Sequence, residues 1–273
     1  MKLITDPGDF SGNDNRQIAL VPTMGALHEG HLSLVRLAKE KADAVIVSIF
    51  VNPTQFGAGE DFDKYPRNLE EDMSKLEQVG VDAVFSPSVE IMYPGQTAVS
   101  ICPGNTANIL EGAIRPGHFA GVTQIVSKLF NLVRPDVAVF GEKDAQQLAI
   151  IKQMVRDLNY PIRIIEAPIV REPDGLAMSS RNAYLSFDQR ALAVNLSAAL
   201  KIGAMSPTPA SQIKATRSAL QTANIEPEYV EVVTWPAFEI VSGEDRTIDG
   251  QTRLLLAAKI GTTRLIDNVM IGE

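Results

Sequence analysis

The run Asp43-Ala44-Val45-Ile46-Val47-Ser48-Ile49-Phe50-Val51 is apolar at almost every position. A strand with one wet face alternates polar and apolar residues. A strand with no polar face must be covered on both sides, which is the situation of a parallel sheet flanked by helices. Upstream, a shorter apolar run from Ile18 to Val21 stops at Pro22 and Gly25, and a helical pattern follows over about Gly30 to Ala42. Strand, helix and buried strand make a βαβ unit. Ligands of such sheets gather at the carboxyl ends of the strands, so the segments that leave those ends are where chemistry is expected.

Composition narrows the classes. The chain has 273 residues, 45% of them hydrophobic, which suits one large or two modest domains with a real core. Lys and Arg number 25 against 33 Asp and Glu, a net charge of −8, and no long basic cluster occurs, so a nucleic-acid footprint is not expected. No stretch approaches the roughly 20 apolar residues of a membrane span, and the N-terminus lacks a signal-peptide layout, so a cytoplasmic location without membrane contact is expected. Cys102 is the only cysteine. It excludes an intrachain disulfide and a four-cysteine zinc site, and is expected to be a small buried hydrophobe.

Residues 1–17 read as a poorly ordered lead-in. Pro22-Thr23-Met24-Gly25-Ala26-Leu27-His28-Glu29-Gly30-His31 then reads as a strand-turn-helix phosphate site. Gly25 would let the backbone approach a ligand, and the helix start offers amides and a positive dipole end to an anion. His28 and His31 are three apart, on one face of the first turns, where imidazoles can donate to phosphate oxygens. The alternative is a pair of packed core histidines at the spacing of Leu27, Leu34 and Val35. Asn52-Pro53-Thr54-Gln55-Phe56 leaves the second strand and reads either as a pocket wall with two amides or as a plain Asn/Pro turn. Gly57 to Arg67 is a charged loop, and Asn68 with Glu71 looks like a capped helix start running to about Gly80, a scaffold element. Val81 to Ser86 is a third strand, and 87–105 has no secure assignment beyond an apolar alternation at Thr97 to Ile101.

Glu111 to Val122 is a Gly-rich turn feeding a helix to about Val133, and it carries His118, the third and last histidine. Val137 to Phe140 is a short buried strand ending in Gly141-Glu142-Lys143-Asp144-Ala145-Gln146-Gln147, with a helix beyond to about Leu158. A lysine there can place a charge on a triphosphate, an aspartate can hold Mg²⁺, and Gln147 lies one turn further on the same face. The same residues would also serve as an ordinary polar helix start. Ile162 to Val170 is the next strand, and after Pro173-Asp174-Gly175 comes Leu176-Ala177-Met178-Ser179-Ser180-Arg181-Asn182, where two hydroxyls beside an arginine can grip phosphate or simply cap a turn. From about Asp188 the pattern changes to two helices (188–203 and 210–222) and three strand-like runs (229–235, 253–260 and 264–270), an α+β arrangement.

In order along the chain, P-T-M-G-A-L-H-E-G-H, F-V-N-P-T-Q-F, R-P-G-H-F-A-G-V, G-E-K-D and M-S-S-R resemble the motifs of the pantothenate synthetases, a family of the nucleotidylyltransferase superfamily that shares its H-x-G-H with class I aminoacyl-tRNA synthetases. The resemblance spans nearly the whole chain. It departs in a short N-terminal lead-in and an abbreviated stretch from Ser206 to Ala210. It implies that Met24, Gly25, Ala26, Leu27, His28, Glu29, Gly30, His31, Gly141, Glu142, Lys143, Asp144, Val170, Met178, Ser179, Ser180 and Arg181 bind ATP. Gln55 and Gln147 are implied to bind pantoate, with Asn52 close by. His28, His31, Lys143, Ser179, Ser180 and Arg181 would surround the phosphates, with Mg²⁺ near Asp144. A homodimer is implied as well.

The expected fold is therefore α/β, a Rossmann-like doubly wound parallel sheet over residues 1–174 with a smaller α+β lid domain over 175–273. The expected activity is ATP-dependent condensation of pantoate with β-alanine through a pantoyl adenylate, releasing AMP and pyrophosphate. A nucleotidyltransferase making a dinucleotide or CDP-alcohol would use the same H-x-G-H but has no evident need for Gln55 and Gln147, and a non-catalytic nucleotide-binding module would bind ATP without releasing pyrophosphate.

Overall fold

The computed structural model describes all residues except 11–15, 58, 61, 96, 244–248 and 273. Two compact units emerge, one of Met1–Glu142 with Gln146–Pro168, the other of Lys143–Ala145 with Ile169–Glu273. The division follows Pro168, six residues before the boundary expected from sequence, and Lys143–Ala145 goes with the second unit.

The first unit is built on six parallel strands: β1 (Lys2–Ile4), β2 (Ile18–Thr23), β3 (Ala44–Ile49), β4 (Ala83–Phe85), β5 (Val137–Gly141) and β6 (Arg163–Ala167). Their order is β1-β4-β3-β2-β5-β6. Every residue of β3 is buried, as its unbroken apolar run requires. From β2 the chain steps to β3 and β4 on one side and later to β5 and β6 on the other, so a switch point lies between β2 and β5, where a crevice opens at the carboxyl ends. Around the sheet lie α1 (Glu29–Lys39), α2 (Leu69–Gln78), α3 (Val89–Met92), α4 (Glu111–Ile114), α5 (His118–Val133) and α6 (Ala145–Asp157). Val21, Val35, Val47, Leu76, Val84 and Val139 are among the residues of its core.

The second unit packs α7 (Phe187–Ala204) and α8 (Pro209–Thr222) on an antiparallel sheet of β7 (Pro227–Thr234), β8 (Ile240–Val241), β9 (Thr252–Ile260) and β10 (Thr263–Met270), in the order β10-β9-β7-β8. Both helices start where side chains satisfy the orphan amides. Ser186 and Gln189 form a reciprocal cap, and Thr208 with Ser211 does the same beside Pro209 in the first turn. Leu196, Leu200, Leu220, Val230 and Leu254 fill the space between helices and sheet.

Two sequence expectations are corrected, and one open segment is settled. Residues 1–17 are not a bare lead-in: Lys2–Ile4 pairs in parallel with Ala83–Phe85 as the edge strand, while 11–15 lie outside the described residues. A three-residue edge strand is too short for its period to show. Cys102 is exposed rather than buried. The open segment forms no strand over 97–101, and among the described residues of 87–104 the short α3 is the regular structure. No helix among the described residues is long and apolar enough to cross a membrane.

Candidate active site

The first motif leaves the carboxyl end of β2 and turns into α1. Gly25 has φ +82° and Ala26 φ +51°, two successive left-handed residues of which only the first is free of a Cβ penalty. The turn is held from outside by α2. Asp72 accepts from the amides of Ala26 and Leu27 at 2.9 and 2.7 Å, and Lys75 Nζ donates to the Leu27 carbonyl at 2.8 Å. A Cβ on Gly25 would stand 2.9 Å from Asp72 Oδ2 and 3.2 Å from Ile49 Cγ2, so glycine is required here by the aspartate, not by a ligand's approach. Burial pushes the Asp72 carboxyl up, against the lowering effect of the two amides. The helix assigned a purely supporting role thus carries the clamp of the motif.

His28 is the N-cap of α1: its Nδ1 accepts from Gly30 N at 3.1 Å, while His31 Nδ1 accepts from His28 N at 3.3 Å. Histidine is an unusual choice for a cap that Ser, Thr, Asp or Asn fills more often, and local rules are commonly broken at functional sites. The rings stack at 4.1 Å between centroids, tilted by 39°. With both Nδ1 atoms accepting, each neutral ring carries its proton on Nε2, a donor directed away from the helix backbone. The amides of residues 26–28 and 30 are taken inside the protein.

The segment after β3 forms a 3₁₀ turn, Pro53–Gln55, capped by Asn52. Asn52 is 1% exposed, and its amide is fully engaged. Nδ2 donates to Gly121 O at 3.0 Å and Gln55 Oε1 at 3.2 Å, and Oδ1 accepts from Tyr93 OH at 2.8 Å. This is the geometry of a residue that orients Gln55. Gln55 Nε2 reaches Met24 Sδ at 2.9 Å, which ties this segment to the first motif. The R-P-G-H string acts from the other side. His118 Nδ1 lies 2.8 Å from the Gln55 carbonyl, which can only accept, so this ring carries its proton on Nδ1, and Nε2 receives Arg115 at 3.1 Å. Arg115 in turn holds Glu60 through both carboxylate oxygens. Burial raises the Glu60 carboxyl, but the hydrogen bonds and charge of Arg115 outweigh this and leave it lowered. His118 is thus a buried brace on Gln55.

After β5, Glu142–Asp144 is a 3₁₀ turn, with Lys143 Nζ 4.0 Å from the exposed Asp144 carboxylate. Gln146 is spent on the 105–111 turn, donating to the carbonyls of Thr106 and Ile109 and accepting from Glu111 N, whereas Gln147 is half-buried one turn beyond Asp144. In the second unit Val170 and Met178 pair through Met178 N to Val170 O at 3.0 Å, closing a small hairpin. Ser179 caps the turn Ser180–Tyr184, its hydroxyl accepting from Arg181 N at 3.3 Å. The hydroxyl hydrogen stays a donor. Sequence reasoning missed Asp72, Lys75 and Glu60. Asp72 reads locally as one more acid in a helix's first turn, and nothing nearby shows that it reaches back to residue 26.

The sheet, its switch point and the paired imidazoles beside it put the chain among the doubly wound α/β enzymes. The family model for pantoate-beta-alanine ligase matches residues 7–270. The chain belongs to that family. It is 52% identical over 264 residues to the pantothenate synthetase of Thermoanaerobacter sp. strain X514, covering 94% of this chain and 92% of the relative. The crystal structure of pantothenate synthetase from Thermus thermophilus superposes with a TM-score of 0.93 at 40% identity, over 99% of each chain. That of pantoate-beta-alanine ligase from Francisella tularensis, complexed with beta-gamma ATP and beta-alanine, gives 0.84 at 35% identity, covering 100% of this chain and 98% of that one.

Proposed function

We propose that this chain joins pantoate to β-alanine at the expense of ATP. A carboxylate is a poor acyl donor, so it is activated first: the pantoate carboxylate attacks the α-phosphorus in line, pyrophosphate leaves, and pantoyl adenylate forms. The β-alanine amine then attacks the acyl carbon, loses a proton and expels AMP. No side chain serves as nucleophile, so catalysis is positioning plus charge stabilisation. The observation that carries this reading is the mutual cap of His28 and His31 at the start of α1, which commits both Nδ1 atoms and leaves the ring protons on Nε2.

In this reading His28, His31, Lys143, Ser179, Ser180 and Arg181 donate to the phosphates. Met24 to Leu27, Glu29 and Gly30, with Gly141, Glu142, Val170 and Met178, shape the nucleotide site. Gln55 and Gln147 take pantoate, and Asn52 and His118 hold Gln55 in place. Among the described residues no three of His, Cys, Asp or Glu gather into a metal cage. A single exposed carboxylate suits Mg²⁺ that arrives on the triphosphate, so Asp144 would hold it, and it would neutralise phosphate charge. The 178–181 turn would shield the mixed anhydride from water. Family resemblance supports a homodimer working in the cytoplasm.

The test omits the amine. Enzyme, Mg-ATP and pantoate should release about one pyrophosphate per site and stall, because the shielded adenylate awaits its acceptor. Carboxylate-labelled pantoate should later deliver one labelled oxygen to AMP. Pyrophosphate that appears only after β-alanine is added, or AMP that emerges unlabelled, replaces the two-step reading with a concerted or phosphoryl-intermediate one.

A further inference from the structure

Two adjacent residues near the end of β10 hold both phosphate motifs of the second unit. Asn268, 1% exposed, donates from Nδ2 to the backbone carbonyl of Lys143 at 3.0 Å. Its Oδ1 accepts from Arg253 on β9 at 2.7 Å, and the Arg253 guanidinium lies 4.3 Å from the Trp235 ring centre. Asp267, 3% exposed, takes Arg171 through both oxygens, at 2.7 and 3.0 Å. Arg171 also reaches Gly175 O at 3.2 Å and Asn268 O at 3.3 Å. It opens the hairpin that bridges to Ala177 and runs directly into Ser179–Arg181. An apolar pair would fill this volume as well, and burying an amide and a carboxylate is costly unless their bonds are made. What these two side chains add is direction: one aims at Lys143, the other at the root of the Ser179–Arg181 turn.

We propose that Asp267 and Asn268 are positioning residues of the nucleotide site, which set Lys143 and the Ser179–Arg181 turn in one fixed arrangement before ATP arrives. This rests on the reading of Lys143 and Ser179–Arg181 as phosphate donors. Donors preset in this way lose little entropy on meeting the triphosphate. Loosening either anchor therefore weakens ATP through the motif it holds.

The test is a double-mutant cycle read from Mg-ATP affinity, by equilibrium titration of the full chain without pantoate. Asn268→Asp keeps an acceptor for Arg253 and deletes the donor to Lys143. It should weaken Mg-ATP about tenfold when Lys143 is present, and less than about twofold in a Lys143→Ala background. Equal losses in both backgrounds, or no loss in the first, overturn the proposal, since a merely structural role is indifferent to the lysine. Arg171→Lys, which keeps a positive charge beside Asp267, gives a second cycle. A lysine cannot grip both oxygens of Asp267, so affinity should fall about threefold, and this loss should vanish in an Arg181→Ala background. Should Asn268→Asp fail to fold, this second cycle decides, additivity overturning the proposal. If the wild type binds Mg-ATP yet releases no pyrophosphate with pantoate, the ligase reading falls while the cycle still reports on Asp267 and Asn268. A wild type that does not bind Mg-ATP sinks both.

Discussion

The turn before α1 and the turn at Ser179–Arg181, both proposed to meet phosphate, are fastened differently. The first is held by its backbone: Asp72 and Lys75 grip the amides and carbonyl of residues 26–27, and two histidines cap each other across a pair of left-handed residues. The second is held at its root, through Arg171 on Asp267 and through Glu172, which takes Asn182 and Arg190. Its own backbone is bonded locally, through the Ser179 cap and from Asn182 N to the Ser179 carbonyl. A segment pinned amide by amide keeps its donors in place without ligand. A segment anchored mainly at its root depends for its placement on Arg171 and Glu172 rather than on bonds to its own amides.

The comparison can be broken, starting with the largest effect. His31→Ala removes a donor and a cap together, so pyrophosphate release should fall about 10²- to 10³-fold, with roughly 0.5–2 kcal/mol of stability lost in a denaturant melt. Arg181→Ala should cost less in rate, about 10- to 10²-fold, and leave stability unchanged within about 0.5 kcal/mol. Unchanged turnover in His31→Ala, with only a lower melting temperature, would make the pinned segment a piece of packing.

Two left-handed glycines sharpen the contrast. Gly25→Ala meets both a forbidden φ and the Asp72 carboxylate at 2.9 Å, and should cost about 2–4 kcal/mol. At Gly175, φ +94°, the nearest atom to a new Cβ is Ser197 Oγ at 3.9 Å; Gly175→Ala should cost about 1–2 kcal/mol, the strain alone. Equal costs would mean that Asp72 yields and is no clamp.

The smallest effect is in pH. The Glu172 carboxyl is held below its usual range by the Arg190 hydrogen bond, against its desolvation. Its contribution is present above the unfolded pKa and lost as pH falls through the folded one. Asp72, raised by burial, runs the other way: its contribution is full below the unfolded pKa and lost as pH rises through the folded one. Melting temperature against pH should therefore lose part of its acid slope in Glu172→Gln and steepen in Asp72→Asn. Parallel profiles would show that the two carboxylates are not held in opposite senses.

Much of this was readable from the chain. β2, β3 and β5 announce themselves because strands buried on both faces need unbroken Val and Ile, and α7 and α8 through their helical patterns over 188–203 and 210–222. β1 and β8 were invisible, since three and two residues contain no measurable period. The three histidines drew attention as residue types, but sequence could not tell that His28 and His31 cap each other while His118 braces the Gln55 carbonyl.

Period, turn chemistry and capping act within a few residues, so element types and the doubly wound class are written locally. Partner choice is not. Asp72 finds Leu27 across 45 residues, and Asn268 finds Lys143 across 125. No local preference encodes which amide a buried carboxylate will take or which carbonyl an asparagine will meet. Those pairings exist only once the sheets have closed the loops, removed the competing water and brought a few specific partners within reach of each pair.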